Sequence, residues 1–311
     1  MAKQISLRST GNLGNQMFQY AAARRVSLQE GGAPIQIELG GAFHTDWLAD
    51  FTAPHTLCKK SRRTPLQAVL RSALHWIRYA VLRQDVGKIQ KLQRPLQPWL
   101  NRLGVYYYSY GYYPFAAAKC DNIILEGYFE TAQYADAIRD TLLRDFTPRH
   151  APLAENASLY EKIQSTNAVC VSVRRGDFVT GANSADAADC NVCTADYFQR
   201  AIAYCKEHLE QPVFFLFSDD TAWAREHLAA DGCEVYCERG TDPVWEKLRL
   251  MYSCRHFILS NSTFSWWAQY LSRRHDKLVI APSRWRNHSV NSEIYEKSWV
   301  LLSPDAENPV L

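Results

Sequence analysis

No run in this chain approaches the roughly 18 consecutive apolar residues that a membrane-spanning helix needs. The N-terminus, Met1-Ala2-Lys3-Gln4-Ile5-Ser6-Leu7-Arg8, lacks the apolar centre of a signal peptide, so a cytoplasmic protein is expected. Nine cysteines are an odd number without the spacing of a small disulfide scaffold, which favours reduced thiols. Cys190-x-x-Cys193 and Cys233-x-x-x-Cys237 could suggest zinc, but the pairs stand further apart than in a zinc knuckle, and no metal is expected. A formal net charge of only +3 gives no reason to expect a nucleic-acid partner. Internal repeats, low-complexity linkers, G-x-G-x-x-G, a Walker lysine and an Asp-x-Asp metal signature are also missing, so dinucleotide and P-loop assignments fail.

What remains is a soluble globular composition, 47% apolar and 22% charged over 311 residues, enough for two domains of ordinary size. From residue 168 onward, short apolar runs alternate with helical patterns. Strands are expected at 168–174, 213–218, 234–237, 256–260 and 278–281, with helices over 194–209, 221–230, 242–253 and 263–273. That alternation predicts a doubly wound parallel sheet. Thr194 and Thr221 are placed to cap their helices, and Asp242-Pro243 reads as a cap followed by proline at the first helical position.

The N-terminal half opens in the same way, with a strand near Gln4–Arg8, a helix over 16–29 and a strand over 35–39. Its regularity then fails. Between Lys59 and Arg102 stand eleven basic residues against one acid, Asp85. Within this region Leu66, Val69, Leu70, Ala73, Leu74, Ile77 and Val81 recur at helical intervals, with Arg71, Arg78 and Arg83 away from the stripe. Two readings follow: a helix packed on its own core, which is preferred, and a basic helix lying on an anionic membrane. The tyrosine-rich segment from Val105 to Phe115 reads as half-buried strand, with stacking on an acceptor sugar as the alternative.

Three polar clusters stand between a strand and a helix. Gly11-Asn12-Leu13-Gly14-Asn15-Gln16 brings backbone amides close to a helix start, where an anion is favoured. Arg174-Arg175-Gly176-Asp177 follows a buried strand, and paired guanidiniums there match phosphate oxygens. Ser260-Asn261-Ser262-Thr263-Phe264 repeats the geometry with hydroxyls, and the following Trp266 and Trp267 are assigned to the core. Between the last two lies Ser218-Asp219-Asp220. A carboxylate there can accept two hydrogen bonds from guanine, while the other caps the next helix.

In order, GNLGNQMFQYA, VRRGD, FSDD and LSNSTFSWW resemble the α1,2-fucosyltransferase family of bacteria and animals, and Leu125-Glu126-Gly127-Tyr128-Phe129 is similar to a further family segment. The resemblance implies an α/β fold in the GT-B arrangement, two facing Rossmann-like domains with a nucleotide cleft between them. Residues 1–150 would form the acceptor-side domain with its basic helical insertion, and 151–311 the domain that binds GDP-fucose. It implies an inverting transfer of L-fucose from GDP-β-L-fucose to the 2-hydroxyl of a terminal galactose, on an oligosaccharide that could be lipid-linked. Arg174 would hold the β-phosphate, with Gly14 and Asn15 near the same pyrophosphate. Asp219 would contact guanine, and Ser262, Thr263 and Phe264 would line the pocket. Gln16 and Arg175 are counted as further nucleotide contacts, and Asp177 as the candidate base. Donors held in advance can stabilise the departing phosphate without a metal or other cofactor. Where many members carry histidine two positions before the first arginine, this chain has Ser172. Transfer from another nucleotide sugar, or nucleotide binding without catalysis, are the alternatives.

Overall fold

The computed structural model describes residues 3–40, 44–81, 86–108, 111–180, 185–288 and 292–305. The chain divides into two units, Met1–Thr147 with Ser292–Tyr295, and Pro148–Asn291 with Glu296–Leu311. Each is built on a parallel sheet. Among the described residues no helix is long and apolar enough to cross a membrane.

The first unit runs β1 (Gln4–Ser9), α1 (Leu13–Gln29), β2 (Ile35–Leu39), β3 (Thr56–Leu57), α2 (Pro65–Trp76), α3 (Val86–Arg102), β4 (Val105–Tyr108), β5 (Asn122–Gly127), α4 (Ala132–Asp136) and α5 (Arg139–Asp145). Its strands lie in the order β3-β2-β1-β5-β4. Side chains alternate across a strand, and here the alternation separates chemistry as well as direction. Ile5, Leu7, Ile35, Ile37, Ile123 and Leu125 share one buried face. Helix α1 covers that side, as the bond of Gln19 to the Ser9 hydroxyl shows. The opposite face carries Ser6, Arg8, Gln36, Glu38 and Glu126.

That polar face decides how α2 sits. Its start is set by a Thr64–Gln67 capping box with Pro65 in the first turn. Arg71 then turns inward to a two-pronged ion pair with Glu126, and Arg63 pairs with Glu38 at 2.7 Å. The expected apolar stripe is therefore split. Leu70 and Leu74 pack on Leu100, Val105, Tyr107 and Ile124. Leu66, Val69 and Val81 are exposed, whereas Arg78 is buried, the reverse of the sequence expectation. Arg83 lies outside the described residues.

The second unit runs α6 (Ala157–Ser165), β6 (Asn167–Val173), α7 (Gly176–Thr180), α8 (Ala185–Cys190), α9 (Ala195–His208), β7 (Pro212–Ser218), α10 (Thr221–His227), β8 (Val235–Cys237), α11 (Val244–Ser253), β9 (His256–Leu259), α12 (Thr263–Leu271), β10 (Val279–Pro282) and β11 (Val300–Leu302). The sheet order β11-β10-β9-β6-β7-β8 is the Rossmann order, reversing between β6 and β9. Val169, Val171, Phe214, Leu216, Ile258 and Ile280 pack with Tyr197, Phe198, Ala201 and Ile202 of α9. Each such side chain contributes about 1.5–3 kcal/mol on burial.

Three local expectations shift. The three-residue strand β11 is too short to register as an apolar run. Asp220, not Thr221, caps α10 through the Trp223 amide at 3.0 Å. Pro243 occupies the cap of α11, because Asp242 is engaged by Arg239 and Asn156.

His256 opens β9, buried, with Nδ1 accepting the Leu278 amide at 2.9 Å and Nε2 against Asn167 Oδ1 at 2.9 Å. An imidazole that accepts at one nitrogen and donates at the other is neutral. Burial chiefly, and Arg255 secondarily, hold its pKa down, to about 4. The contribution is complete above the ordinary histidine pKa and is lost as pH falls from about 6.5 towards about 4, because only the unfolded chain takes up the proton. Urea unfolding is expected to show about 3 kcal/mol of acid-sensitive stability in this window. His256→Gln should flatten that part of the profile.

Candidate functional site

The β6–β9 reversal places two strand-end loops side by side. Ser172 and Leu259 are register partners, and the Ser260 amide donates to the Ser172 carbonyl at 3.0 Å. The chain leaves β6 into Arg174-Arg175-Gly176 and leaves β9 into Asn261-Ser262-Thr263. In a doubly wound sheet this is where ligands bind.

Arg174 and Asp219, assigned separately from sequence, form an ion pair at 2.8 Å. The other Asp219 oxygen accepts the Arg175 amide at 2.9 Å, so one carboxylate ties the end of β6 to the end of β7. Gly176 is required by this closeness: a Cβ there would stand 2.5 Å from Asp219 Oδ2. The Arg174 guanidinium lies 5.4 Å from the centre of the Phe178 ring. Arg175 turns away, stacked 3.8 Å from the centre of the Trp223 ring and 3.4 Å from Asp220. Its guanidinium thus braces β7 and α10.

Beneath this corner sit two residues that sequence reading passed over. Glu238, buried at the end of β8, accepts the Ser218 amide at 2.7 Å and pairs with Lys247 at 2.8 Å. Lys247 also donates to the Ser218 carbonyl at 3.1 Å, so the residue before Asp219 is held at both its peptide groups. Burial pushes the Glu238 carboxyl above its ordinary pKa. A glutamate directly after a short strand was the available signal.

The third cluster is equally anchored. The Asn261 amide donates to the carbonyls of Cys190 at 2.8 Å and Trp285 at 3.0 Å, and the Cys193 thiol donates to its oxygen. The Ser265 hydroxyl meets Ser172 at 2.7 Å and Ser260 at 3.1 Å, which turns Ser172 into a buried tie under the site. Trp266 and Trp267 are core residues, as expected. Ser262 stands at the cap position of α12 without a side-chain capping bond. The first-turn amides of α12 and a partly exposed guanidinium therefore flank one switch point. Helix N-termini carry partial positive charge, so the pair suits an anionic, phosphate-bearing ligand.

In the first unit the loop after β1 is shaped from within. Gly11 adopts φ +84°, and a Cβ on it would meet Asn15 at 2.5 Å. Gln16 is buried; its amide donates to Gly11 and Thr45, and its oxygen accepts the Trp47 amide. With both ends engaged it holds the loop. Gly14 is buried and Asn15 half-buried at the start of α1. The loop after the neighbouring strand β5 contains Phe129 at φ +57°, a conformation that bulky side chains rarely adopt. Tyr106, Tyr108 and Tyr113 are buried with Phe129 and Tyr134 in one aromatic cluster, so these rings are core and not sugar platforms. The Asp177 side chain lies outside the described residues.

The sequence profile of glycosyl transferase family 11 matches residues 2–303. The chain belongs to that family. This glycosyltransferase is 27% identical over 312 residues to an α-1,2-colitosyltransferase of Escherichia coli, covering 96% of this chain and 98% of the relative. It is 25% identical to the galactoside 2-α-L-fucosyltransferase Sec1 of Mus musculus, covering 98% and 75%. Among solved structures, NodZ α-1,6-fucosyltransferase soaked with GDP-fucose aligns with a TM-score of 0.52 at 13% identity, over 99% of this chain and 97% of NodZ. That likeness is one of fold: an enzyme of two Rossmann-like α/β units, the GT-B class.

Gly176→Ala is expected to lower stability by about 1–3 kcal/mol through its clash with Asp219. In an Asp219→Ala background most of that cost should vanish, a coupling that a double-mutant cycle by urea unfolding reads directly.

Proposed function

We propose that the enzyme transfers L-fucose from GDP-β-L-fucose to the 2-hydroxyl of a terminal galactose, with inversion at the anomeric carbon. The observation that carries this reading is that the loop bearing Arg174 and the loop leading into α12 leave adjacent strands, β6 and β9, at the switch point of the second unit. The galactoside 2-α-L-fucosyltransferase relative, aligned over nearly the whole chain, supports the choice of sugar and hydroxyl.

In this scheme galactose O2 attacks the anomeric carbon as the bond from that carbon to the β-phosphate oxygen breaks. The electron pair leaves with GDP, and the hydroxyl proton passes to a base. Arg174 and the α12 amides meet the growing phosphate charge with donors already in place, which is the arrangement that lowers a barrier most effectively. Asp219 orients Arg174 from the opposite side and is assigned to the nucleotide pocket with Ser262, Thr263 and Phe264. Asp177, two residues beyond the arginine pair, is assigned as the base. The scheme uses no metal.

We place the reaction in the cytoplasm at the inner face of the membrane, on a lipid-linked oligosaccharide. A second reading keeps this chemistry with a colitose-bearing donor. It is favoured by the full-length relative that carries that activity in its name. Parallel assays with GDP-fucose, GDP-colitose and GDP-mannose on a galactoside acceptor separate the two by product mass.

Arg174→Ala is expected to reduce turnover at least about 100-fold with the fold intact, equivalent to roughly 2.7 kcal/mol of barrier. Turnover near that of the parent would remove Arg174 from the mechanism.

A further inference from the structure

Helices α2 and α3 turn polar side chains toward the first unit's sheet beside the inward Leu70, Leu74 and Leu100. Gln67 and Arg71 of α2 turn toward the sheet. Gln93 and Gln97 of α3 donate to the carbonyls of Tyr107 and Val105, the groups that edge strand β4 leaves unpaired by β5. The glutamines complete the sheet edge in place of a further strand, which is one way to protect an edge from pairing with another chain. The consequence appears on the outer side. Leu66, Val69 and Trp76 line the outward face of α2, and Leu92, Leu96 and Trp99 that of α3, each between 44% and 65% exposed. Both helices press on the same small cluster with Leu100, Val105 and Tyr107, so both stripes belong to the cover over β4.

Water is a poor partner for two exposed apolar stripes, and exposed apolar surface of this kind marks interaction surfaces. Their surroundings select the partner. Lys59, Lys60 and Arg62 precede α2, and Lys91, Arg94 and Arg102 lie on α3, all exposed. A second copy of this chain would bring one basic field against another. An anionic bilayer complements both features: tryptophans and leucines enter the boundary between headgroups and acyl chains while lysines and arginines meet lipid phosphates.

We propose that the outward face of α2 and α3 is a peripheral docking surface for anionic phospholipid. The inference rests on, and deepens, the membrane-side location proposed above, and its test needs neither donor nor acceptor. The full chain is floated with phosphatidylcholine vesicles containing about a third phosphatidylglycerol, and with pure phosphatidylcholine vesicles. The parent should float with the anionic vesicles and stay behind with the neutral ones. Trp76→Ser/Trp99→Ser and, separately, Lys59→Glu/Lys60→Glu should each weaken partitioning about tenfold, with melting temperature and transfer to a soluble galactoside unchanged. Absence of flotation at low salt overturns the proposal, as does undiminished flotation of both variants. A parent dimer in sedimentation velocity that Trp76→Ser/Trp99→Ser converts to monomer would overturn it too, by giving the face to a second copy. Loss of transfer by the parent with flotation retained would instead strike the fucosyl reading alone.

Discussion

The ladder between β6 and β9 is the constraint on which the second unit's chemistry depends. Once Ser260 donates to Ser172, the two chain segments emerge from the sheet together, one into Arg174 and the other into α12. Charge alone would not give that geometry. An arginine on a free loop would lose rotamer freedom on binding a phosphate. Here the Asp219 carboxylate and the Phe178 ring already restrict it. The supporting residues Glu238, Lys247, Asn261 and Ser265 extend the same logic inward, each converting a strand end into a fixed corner.

The two units solve sheet coverage differently. In the second, β7 and β9 are buried along their whole length and β6 at all but its first residue, as expected for a parallel sheet with helices on both sides. In the first, one face is apolar under α1 and the other carries Arg8, Glu38 and Glu126. A helix laid on charges turns its own charges toward them, because an unpaired buried carboxylate costs far more than an exposed leucine. The outward stripe of α2 follows from that inequality, and that of α3 from Gln93 and Gln97 turning to the free carbonyls of β4.

Much of the site could be read from residue order, and the reasons are local. Arg174, Asp219 and Ser262-Thr263 stand directly after apolar runs, and a parallel strand's carboxyl end is recognisable from the run that precedes it. Residue order did not show partners that came from distant sequence. Arg175 resembles Arg174 in every local respect, yet Trp223 and Asp220 capture it. Gln16 sits in a glycine-rich loop suited to a ligand, but Thr45 and Trp47 occupy its amide. Tyr106 and Tyr108 bear out the strand reading and pack with Tyr113, Phe129 and Tyr134 into a core.

Residue order by itself determined the doubly wound second half, the strand-end polar clusters and the family, because periodicity, turn residues and long motifs are properties of neighbours along the chain. Only the tertiary structure decided which arginine pairs with Asp219 and which with Trp223, which polar residues are braces, and that α2 and α3 turn glutamines and Arg71 inward. Those outcomes depend on pairing between groups tens of residues apart, as Arg71 with Glu126 and Gln97 with Val105 illustrate. A helical stripe records that one side of a helix differs from the other; the surface it meets decides which side is hidden.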